Sequence, residues 1–179
     1  SIAIEGQVKA HVTYEPMYRI PGSASMYFKA INHDKVANFV KNFVKKFNFT
    51  GQISFDIIDN NDNIYLIECN PRASSGLHLL YQSNLANAFQ KKIFQLIVNE
   101  KPSMLSYAMY LSALPRSLKL SALKKWRKNF LQAREIIYDK TDKSFFIYQF
   151  FTLFELMLYM LVKRSGFRHI STYGINYDG

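Results

Sequence analysis

The first 31 residues alternate between apolar and polar side chains, a pattern typical of β-strands. Between residues 8 and 14 one face of the alternation is apolar, formed by Val8, Ala10, Val12 and Tyr14. The dipeptide Glu5-Gly6 predicts a turn that reverses a short first strand onto the second. Residues 18–25 predict an irregular loop, and residues 26–31 predict another strand.

From Asp34 the spacing of apolar residues changes to that of an amphipathic helix. The apolar positions recur at intervals of three and four residues, at Val36, Phe39, Val40, Phe43, Val44 and Phe47. Asn32 and Asp34 are the N-cap candidates, because short polar side chains accept hydrogen bonds from the first free amides of a helix.

Two further strands are predicted at residues 51–59 and 64–70, joined by the asparagine-rich segment 60–63, which favours a β-hairpin. A three-residue loop at 61–63 predicts the facing pairs Phe55–Cys69, Asp56–Glu68 and Ile57–Ile67. In this register the odd-numbered residues form an apolar face that packs on helices, and Cys69 belongs to the core. The even-numbered residues form the opposite, polar face.

The remainder of the chain is predicted to be mainly helical. A loop at residues 73–76 precedes helical sequence at 77–99, and residues after Pro102 are mostly helical as far as a short extended tail at 170–177. The predicted fold is therefore α+β, an antiparallel sheet with helices on one face followed by a mostly helical C-terminal region.

The segment from Phe145 to Val162 contains 18 mostly apolar residues. A membrane-spanning helix needs about 20 such residues with few or no charges. Because Gln149, Thr152 and Glu155 would share one stripe of a helix, we expect a core helix, buried on three sides with one wet edge, in preference to a membrane segment.

Composition narrows the class of protein. The chain has 179 residues, a net charge of +10 and 49% hydrophobic residues, which predicts a folded chain of about one domain rather than a disordered one. A single cysteine excludes a disulfide framework and a cysteine-rich zinc site within one chain. The N-terminus lacks the pattern of a secretory signal, so we expect a cytoplasmic protein. The sequence opens as if within a strand, which suggests a piece of a longer protein.

Candidate chemistry lies on the polar face of the predicted hairpin. Asp56, Glu68 and Asn70 offer hard oxygen ligands on one surface, which suits Mg²⁺ or Mn²⁺. Arg72 follows Asn70 closely, after a proline, and its guanidinium is suited to a phosphate. The alternative is that Asp56 and Glu68 are simply solvated residues on the open face of a sheet.

The segment GQISFDIIDNNDNIYLIECNPRASSGLHL, residues 51–79, resembles the C-terminal lobe of the ATP-grasp superfamily, in its carbamoyl-phosphate-synthetase-like branch. Residues 6–28 and 133–142 also resemble that branch. The resemblance implies that Asp56, Glu68 and Asn70 hold the magnesium ions that bridge the phosphates of ATP. It implies that Arg72 contacts phosphate or the acyl-phosphate intermediate and is catalytic.

The resemblance also implies a domain organisation and a reaction. Residues 1–100 would be the C-terminal lobe and residues 101–179 a mainly helical extension, while the N-terminal lobe with its adenine contacts is missing from the sequence. The implied reaction is phosphorylation of a small-molecule carboxylate by ATP, followed by attack of an amine or similar nucleophile. This chain alone is expected to be inactive.

Further polar residues follow the motif. Ser74, Ser75, Gly76 and His78 form a loop that is expected to close over the acceptor substrate, although His78 more often would make only a local hydrogen bond. Arg19 and Lys29 are weaker phosphate candidates.

Residues 115–134 carry seven basic residues and no acid, which raises the alternative of a nucleic-acid or membrane-surface protein. Because Leu123, Trp126, Phe130 and Ala133 recur at helical spacing, we expect the basic residues to be the solvated face of a surface helix, and nucleic-acid and membrane partners are not favoured. A non-catalytic ATP-grasp-like binding module is the other alternative, and a homodimer stays open.

Overall fold

The structure is a computed structural model, and it describes residues 1–19, 25–60, 62–90, 92, 95–138 and 141–164. The described residues form an α+β fold with antiparallel strand pairs and a helical C-terminal region, as predicted. The strands are β1 (Ile2–Ile4), β2 (Gln7–Ala10), β3 (Thr13–Arg19), β4 (Ser25–Ile31), β5 (Gly51–Gln52), β6 (Ser54–Asp59), β7 (Ile64–Asn70), β8 (Ser103–Met104) and β9 (Arg134–Glu135). The α-helices are α1 (Asp34–Lys46), α2 (Leu85–Phe89), α3 (Ser106–Ala108), α4 (Leu120–Gln132) and α5 (Lys143–Lys163).

The predicted turn at Glu5-Gly6 joins β1 to β2 in a tight hairpin. Both turn residues have positive φ angles, 48° for Glu5 and 72° for Gly6. A two-residue hairpin needs such angles, because the twist of the turn must match that of the strands. β1 also pairs with β5, which gives a three-stranded sheet in the order β2-β1-β5.

Helix α1 covers one core of the molecule with the predicted apolar face. Val36, Val40 and Val44 are buried with Ala3 and Ile53. The prediction of the N-cap is wrong: His33 occupies that position, and its ring Nδ1 accepts a hydrogen bond from the amide of Val36 at 3.4 Å. The imidazole is held there by Asp59, whose carboxylate lies 2.9 Å from His33 Nε2.

A second sheet has the order β3-β4-β8-β9 and supports a separate core. The β8–β9 pair is parallel, and residues 105–133 form the long crossover connection that parallel neighbouring strands need. α4 packs against this core through Trp126, whose indole Nε1 donates to the carbonyl of Met109 at 3.2 Å. Its basic residues are exposed on the surface of the helix: Lys124, Lys125, Arg127 and Lys128.

The predicted helix over residues 77–99 is wrong in extent. A 3₁₀ helix (Ser75–Leu80) and the short α2 replace it, and the described residues of the remaining predicted range, 92 and 95–99, have no regular structure. The Ser83 side chain accounts for part of this difference, since its hydroxyl accepts from the amide of Ile97 at 2.8 Å and donates to the carbonyl of the same residue at 3.1 Å. These bonds join residues 14 apart in the sequence, which would be about 21 Å apart along a continuous helix, so they require the chain to turn back.

The prediction that residues 145–162 form a buried core helix is also wrong. α5 forms, but none of its residues is buried. The half-buried positions recur along one stripe, at Phe146, Gln149, Leu153, Leu156 and Met160. The extended tail predicted at 170–177 and most of the loop predicted at 18–25 lie outside the described residues.

Candidate functional site

The β6–β7 hairpin carries the predicted polar face. Ser54 pairs with Asn70, Phe55 with Cys69 and Asp56 with Glu68, as the predicted register requires. Beyond Asp56 the register shifts by one residue, so that Ile57 pairs with Leu66. The predicted pair Ile57–Ile67 is therefore wrong.

The shift arises at the turn. Asp59 pairs with Ile64, which leaves a four-residue loop in place of the predicted three-residue loop. The side-chain oxygen of Asn60 accepts from the amides of Asp62 and Asn63, at 3.2 and 2.8 Å. The turn thus includes Asn60, which the predicted three-residue loop excludes, and a bulge restores the polar pairing further along.

One face of the hairpin packs on α1. Phe55 makes edge-to-face contacts with Phe39 and Phe43, at centroid distances of 5.2 and 4.9 Å. Cys69, opposite Phe55, is exposed, so the prediction that it lies in the core is wrong. The reason is that the cluster under α1 includes Phe55 and Ile57 of β6 but, from β7, Ile64 alone, so the part of β7 around Cys69 is uncovered.

The other face presents two carboxylates side by side. Asp56 and Glu68 are directly opposed and exposed, and Asn70 follows on the same face of β7. Among the described residues, neither carboxylate forms an ion pair. Directly opposed like charges repel, with Cβ atoms about 4.5–5.5 Å apart. A cation between them would remove that repulsion.

Tyr14 of β3 is a neighbour of this face that the sequence pattern assigned only to the apolar side of a strand. Burial and the charge of Asp56 raise the pKa of the Tyr14 phenol, while a hydrogen bond with the Ser74 side chain and the charge of Arg19 act in the opposite direction. Tyr14 therefore joins Asp56, Ser74 and Arg19 in one neighbourhood. β3 belongs to a different sheet from the hairpin, so Tyr14 comes near Asp56 only through the tertiary fold. No local sequence signal marks this residue.

The loop after the motif lies against Tyr14. Gly76 is buried, and a Cβ atom at this position would lie 3.0 Å from Tyr14 Cε1. The backbone of Gly76 thus lies so close to the aromatic ring that a side chain here would require the ring to shift by a few tenths of an ångström. Ser74 and Ser75 are both half-buried, and Ser75 begins the 3₁₀ helix.

His78 contacts residues of β8 and β9 through its backbone carbonyl. Its carbonyl accepts from Ser103 Oγ at 3.4 Å and from Arg134 Nη2 at 3.2 Å. Desolvation and, to a smaller extent, the Arg134 charge lower the pKa of the His78 ring. Arg134 itself stacks over Tyr81, with its guanidinium carbon 3.7 Å from the ring centroid.

Arg72 is exposed directly after the metal-ligand candidates. Its amide donates to the carbonyl of Asn70 at 2.8 Å, which makes a tight bend around Pro71. Its guanidinium donates to the neighbouring carbonyl of Ala73 at 3.4 Å. The side chain is therefore held near its own loop and exposed to solvent.

The donor set on the hairpin fits a hard divalent cation. Two carboxylates and one amide oxygen lie on a single face, and Mg²⁺ commonly uses one or two carboxylates with water and phosphate as its other ligands. No group of three or more His, Cys, Asp or Glu residues suited to a metal occurs among the described residues, so this set does not fit a closed, all-protein site.

Comparison of the chain with known proteins found no matching family model, no matching curated protein and no matching solved structure. The geometry of the hairpin and its neighbours therefore carries the functional argument.

Proposed function

We propose that the polar face of the β6–β7 hairpin binds Mg²⁺ or Mn²⁺ together with the phosphates of a nucleotide. Asp56, Glu68 and Asn70 would supply the metal ligands. On this proposal the chain is the metal-binding part of an ATP-grasp-type ligase, and ATP and a divalent ion are its cofactors.

The observation that supports this proposal is the pairing of Asp56 with Glu68. Two exposed carboxylates in this arrangement are unfavourable without a counter-charge. The resemblance of residues 51–79 to the ATP-grasp lobe assigns metal-binding roles to the same residues, and the two arguments are independent. The first rests on strand register, and the second on sequence motif.

The proposed reaction needs charge neutralisation more than covalent chemistry. An oxygen of the substrate carboxylate attacks the γ-phosphorus of ATP, ADP leaves, and the nucleophile then displaces phosphate from the acyl phosphate. A bound divalent ion would neutralise the phosphate oxygens, and phosphoryl transfer depends mainly on such neutralisation and on positioning. Arg72 would contact a phosphate oxygen, and Ser74, Ser75 and Gly76 would border the acceptor substrate.

The test is direct measurement of Mn²⁺ binding to the full chain by electron paramagnetic resonance, with and without a non-hydrolysable ATP analogue. We expect saturable binding that the analogue strengthens. Asp56→Asn and Glu68→Gln should each weaken binding by at least about tenfold, since a hard cation loses a charged ligand. Glu15→Gln is the matched control, because Glu15 is an exposed strand carboxylate outside the site.

Absence of saturable Mn²⁺ binding, or equal weakening by Glu15→Gln, would reject the proposal. Metal binding that the ATP analogue leaves unchanged would reject the nucleotide role and retain only the metal site. Release of ADP is expected only when an N-terminal lobe is supplied; saturable nucleotide binding without ADP release in that complex would instead favour a non-catalytic binding module.

A further inference from the structure

The surface of α5 is apolar and open to solvent over most of its circumference. Eleven of its large apolar residues are exposed: Phe145, Ile147, Tyr148, Phe150, Phe151, Phe154, Met157, Leu158, Tyr159, Leu161 and Val162. The fully exposed side of a helix in water is normally polar. A contiguous apolar surface of this kind marks contact with another apolar phase.

The dimensions of α5 fit a lipid bilayer. At 1.5 Å per residue, its 21 residues extend over roughly 31 Å, and the hydrocarbon core of a bilayer is about 30 Å thick. By length and composition it is a candidate membrane span, and none of that span is buried against the rest of the described chain. A core helix passes the same test of composition, but it would be buried.

The ends of α5 are basic and its middle is nearly uncharged. Lys143 begins the helix, and Lys163 and Arg164 end it, so cationic groups would lie at the two headgroup layers. Glu155 is the one charged residue between them. The Thr152 hydroxyl donates to the carbonyl of Tyr148 at 3.2 Å, which satisfies that polar group within the helix.

An in-plane orientation fits the composition less well. A helix that lies on a membrane surface has a polar face rich in lysine and arginine. The polar stripe of α5 contains Gln149, Thr152 and Glu155, and its lysine is at the end of the helix. The side chains of α5 therefore favour crossing the bilayer over lying along its surface.

The distribution of basic residues predicts the orientation. Six Lys or Arg residues occur in the 20 residues before α5, and two occur in the 16 residues after it. The flank richer in Lys and Arg is normally retained in the cytoplasm. The exposed basic face of α4 belongs to that flank and complements the anionic cytoplasmic leaflet.

We propose that α5 spans a phospholipid bilayer and holds the residues N-terminal to it, including the candidate metal site, on the cytoplasmic side. This proposal does not depend on the proposed ligase function, because it rests on α5 and its flanks alone.

The first test is extraction of membranes from cells that express the full chain, with sodium carbonate and separately with high salt. We expect the chain to stay in the membrane pellet in both. The double substitution Phe151→Arg and Leu158→Arg should raise the soluble fraction by at least about tenfold, because arginine near the middle of a span strongly opposes insertion. Leu118→Arg with Leu120→Arg is the matched control, since both leucines are exposed outside α5.

The second test uses Cys69, the single cysteine, whose side chain is exposed. A membrane-impermeant maleimide should label it only after the cells are opened. In a Cys69→Ser background, Asp178→Cys should show the opposite pattern and react in intact cells. Circular dichroism and urea unfolding of the α5 variant in detergent verify that the substitutions leave the fold intact.

Three results would overturn the proposal. Release of the wild-type chain by carbonate or by salt excludes a spanning helix. A soluble wild-type dimer that Phe151→Arg with Leu158→Arg dissociates would show that α5 contacts a second copy of the chain. Labelling of Cys69 in intact cells would contradict the orientation.

Discussion

At the scale of single residues, the polar face of the hairpin places two carboxylates side by side, where they repel each other and offer oxygen ligands to a cation. Asp56 and Glu68 are neighbours because of strand pairing, and no described cation is paired with either. On the proposed function, the arrangement that would bind a metal ion is unfavourable without one. This coupling between stability and metal binding can be measured without assuming any reaction.

We therefore expect Asp56→Asn to stabilise the protein in the absence of divalent ions, by about 0.2–1 kcal/mol, since it removes a directly opposed like charge. In saturating Mn²⁺ the order should reverse, because the wild-type chain binds the ion at least about tenfold more tightly and so gains more binding free energy than the variant. Urea unfolding with EDTA and with Mn²⁺ measures both effects. If Glu15→Gln changes the free energy of unfolding as Asp56→Asn does, the change does not arise from repulsion between Asp56 and Glu68.

His11 provides a second prediction at this scale. Its ring lies between Ser1 Oγ at 2.8 Å and Thr13 Oγ1 at 3.0 Å, and burial lowers its pKa to about 4. The ordinary pKa is about 6.5, so between these two values the unfolded chain binds more protons than the folded chain. The stability contributed by neutral His11 is complete above pH 6.5 and is lost as the pH falls to about 4.

The loss should be on the order of 2 kcal/mol. His11→Gln keeps hydrogen-bonding groups and does not titrate, so its free energy of unfolding should fall less steeply across this window. Urea unfolding at half-unit pH intervals makes the comparison. Parallel curves for the two proteins would contradict the assignment.

At the scale of elements, the candidate site depends on the docking of the loop at residues 74–76 against β3. The Tyr14 ring also makes an edge-to-face contact with Phe28, at a centroid distance of 5.7 Å. This contact restricts the movement of the ring. The loop and the ring are therefore packed together although they come from separate elements.

Gly76→Ala should destabilise the protein by about 1–3 kcal/mol, because the new methyl group would overlap Tyr14 in a packed region. A double-mutant cycle with Tyr14→Leu measures the coupling, and the penalty for alanine should shrink when the ring is absent. Additive costs in the cycle would show that the clash lies elsewhere.

At the scale of the whole molecule, the buried residues divide into distinct clusters. One lies under α1 and includes Val44, and another lies between β4, α3 and α4 and includes Met109. α5 belongs to none of these buried clusters. α5 therefore contributes no residue to the buried clusters of the described residues.

Substitutions in the two clusters should be additive. We expect Val44→Ala to cost about 1.6 kcal/mol and Met109→Ala about 2–5 kcal/mol, and the double variant to lose the sum within about 0.5 kcal/mol. Urea unfolding of the three variants tests this. A larger departure from the sum would show that the clusters share packing.

Local sequence determined the elements whose signals are short-range. The period of apolar residues defined α1, the glycine of the Glu5-Gly6 dipeptide marked the turn of the first hairpin, and alternation placed Asp56 and Glu68 on one face. These features depend on neighbours within a few residues or on one hairpin, and patterns in the sequence record them directly.

Tertiary structure alone decided what covers each apolar surface. The alternation placed Cys69 on an apolar face, but of the β7 residues only Ile64, at the start of the strand, packs against the cluster under α1, and Cys69 is exposed. The composition of α5 suits a buried core helix as well as a membrane span. Only the absence of burial against the described residues distinguishes α5 from a core helix. Tyr14 comes near the charge of Asp56 and the Ser74 hydroxyl only through the tertiary fold, because β3 and the hairpin belong to separate sheets. Burial depends on which elements meet in space, and periodicity in a sequence does not indicate which element of the chain packs against a given apolar face.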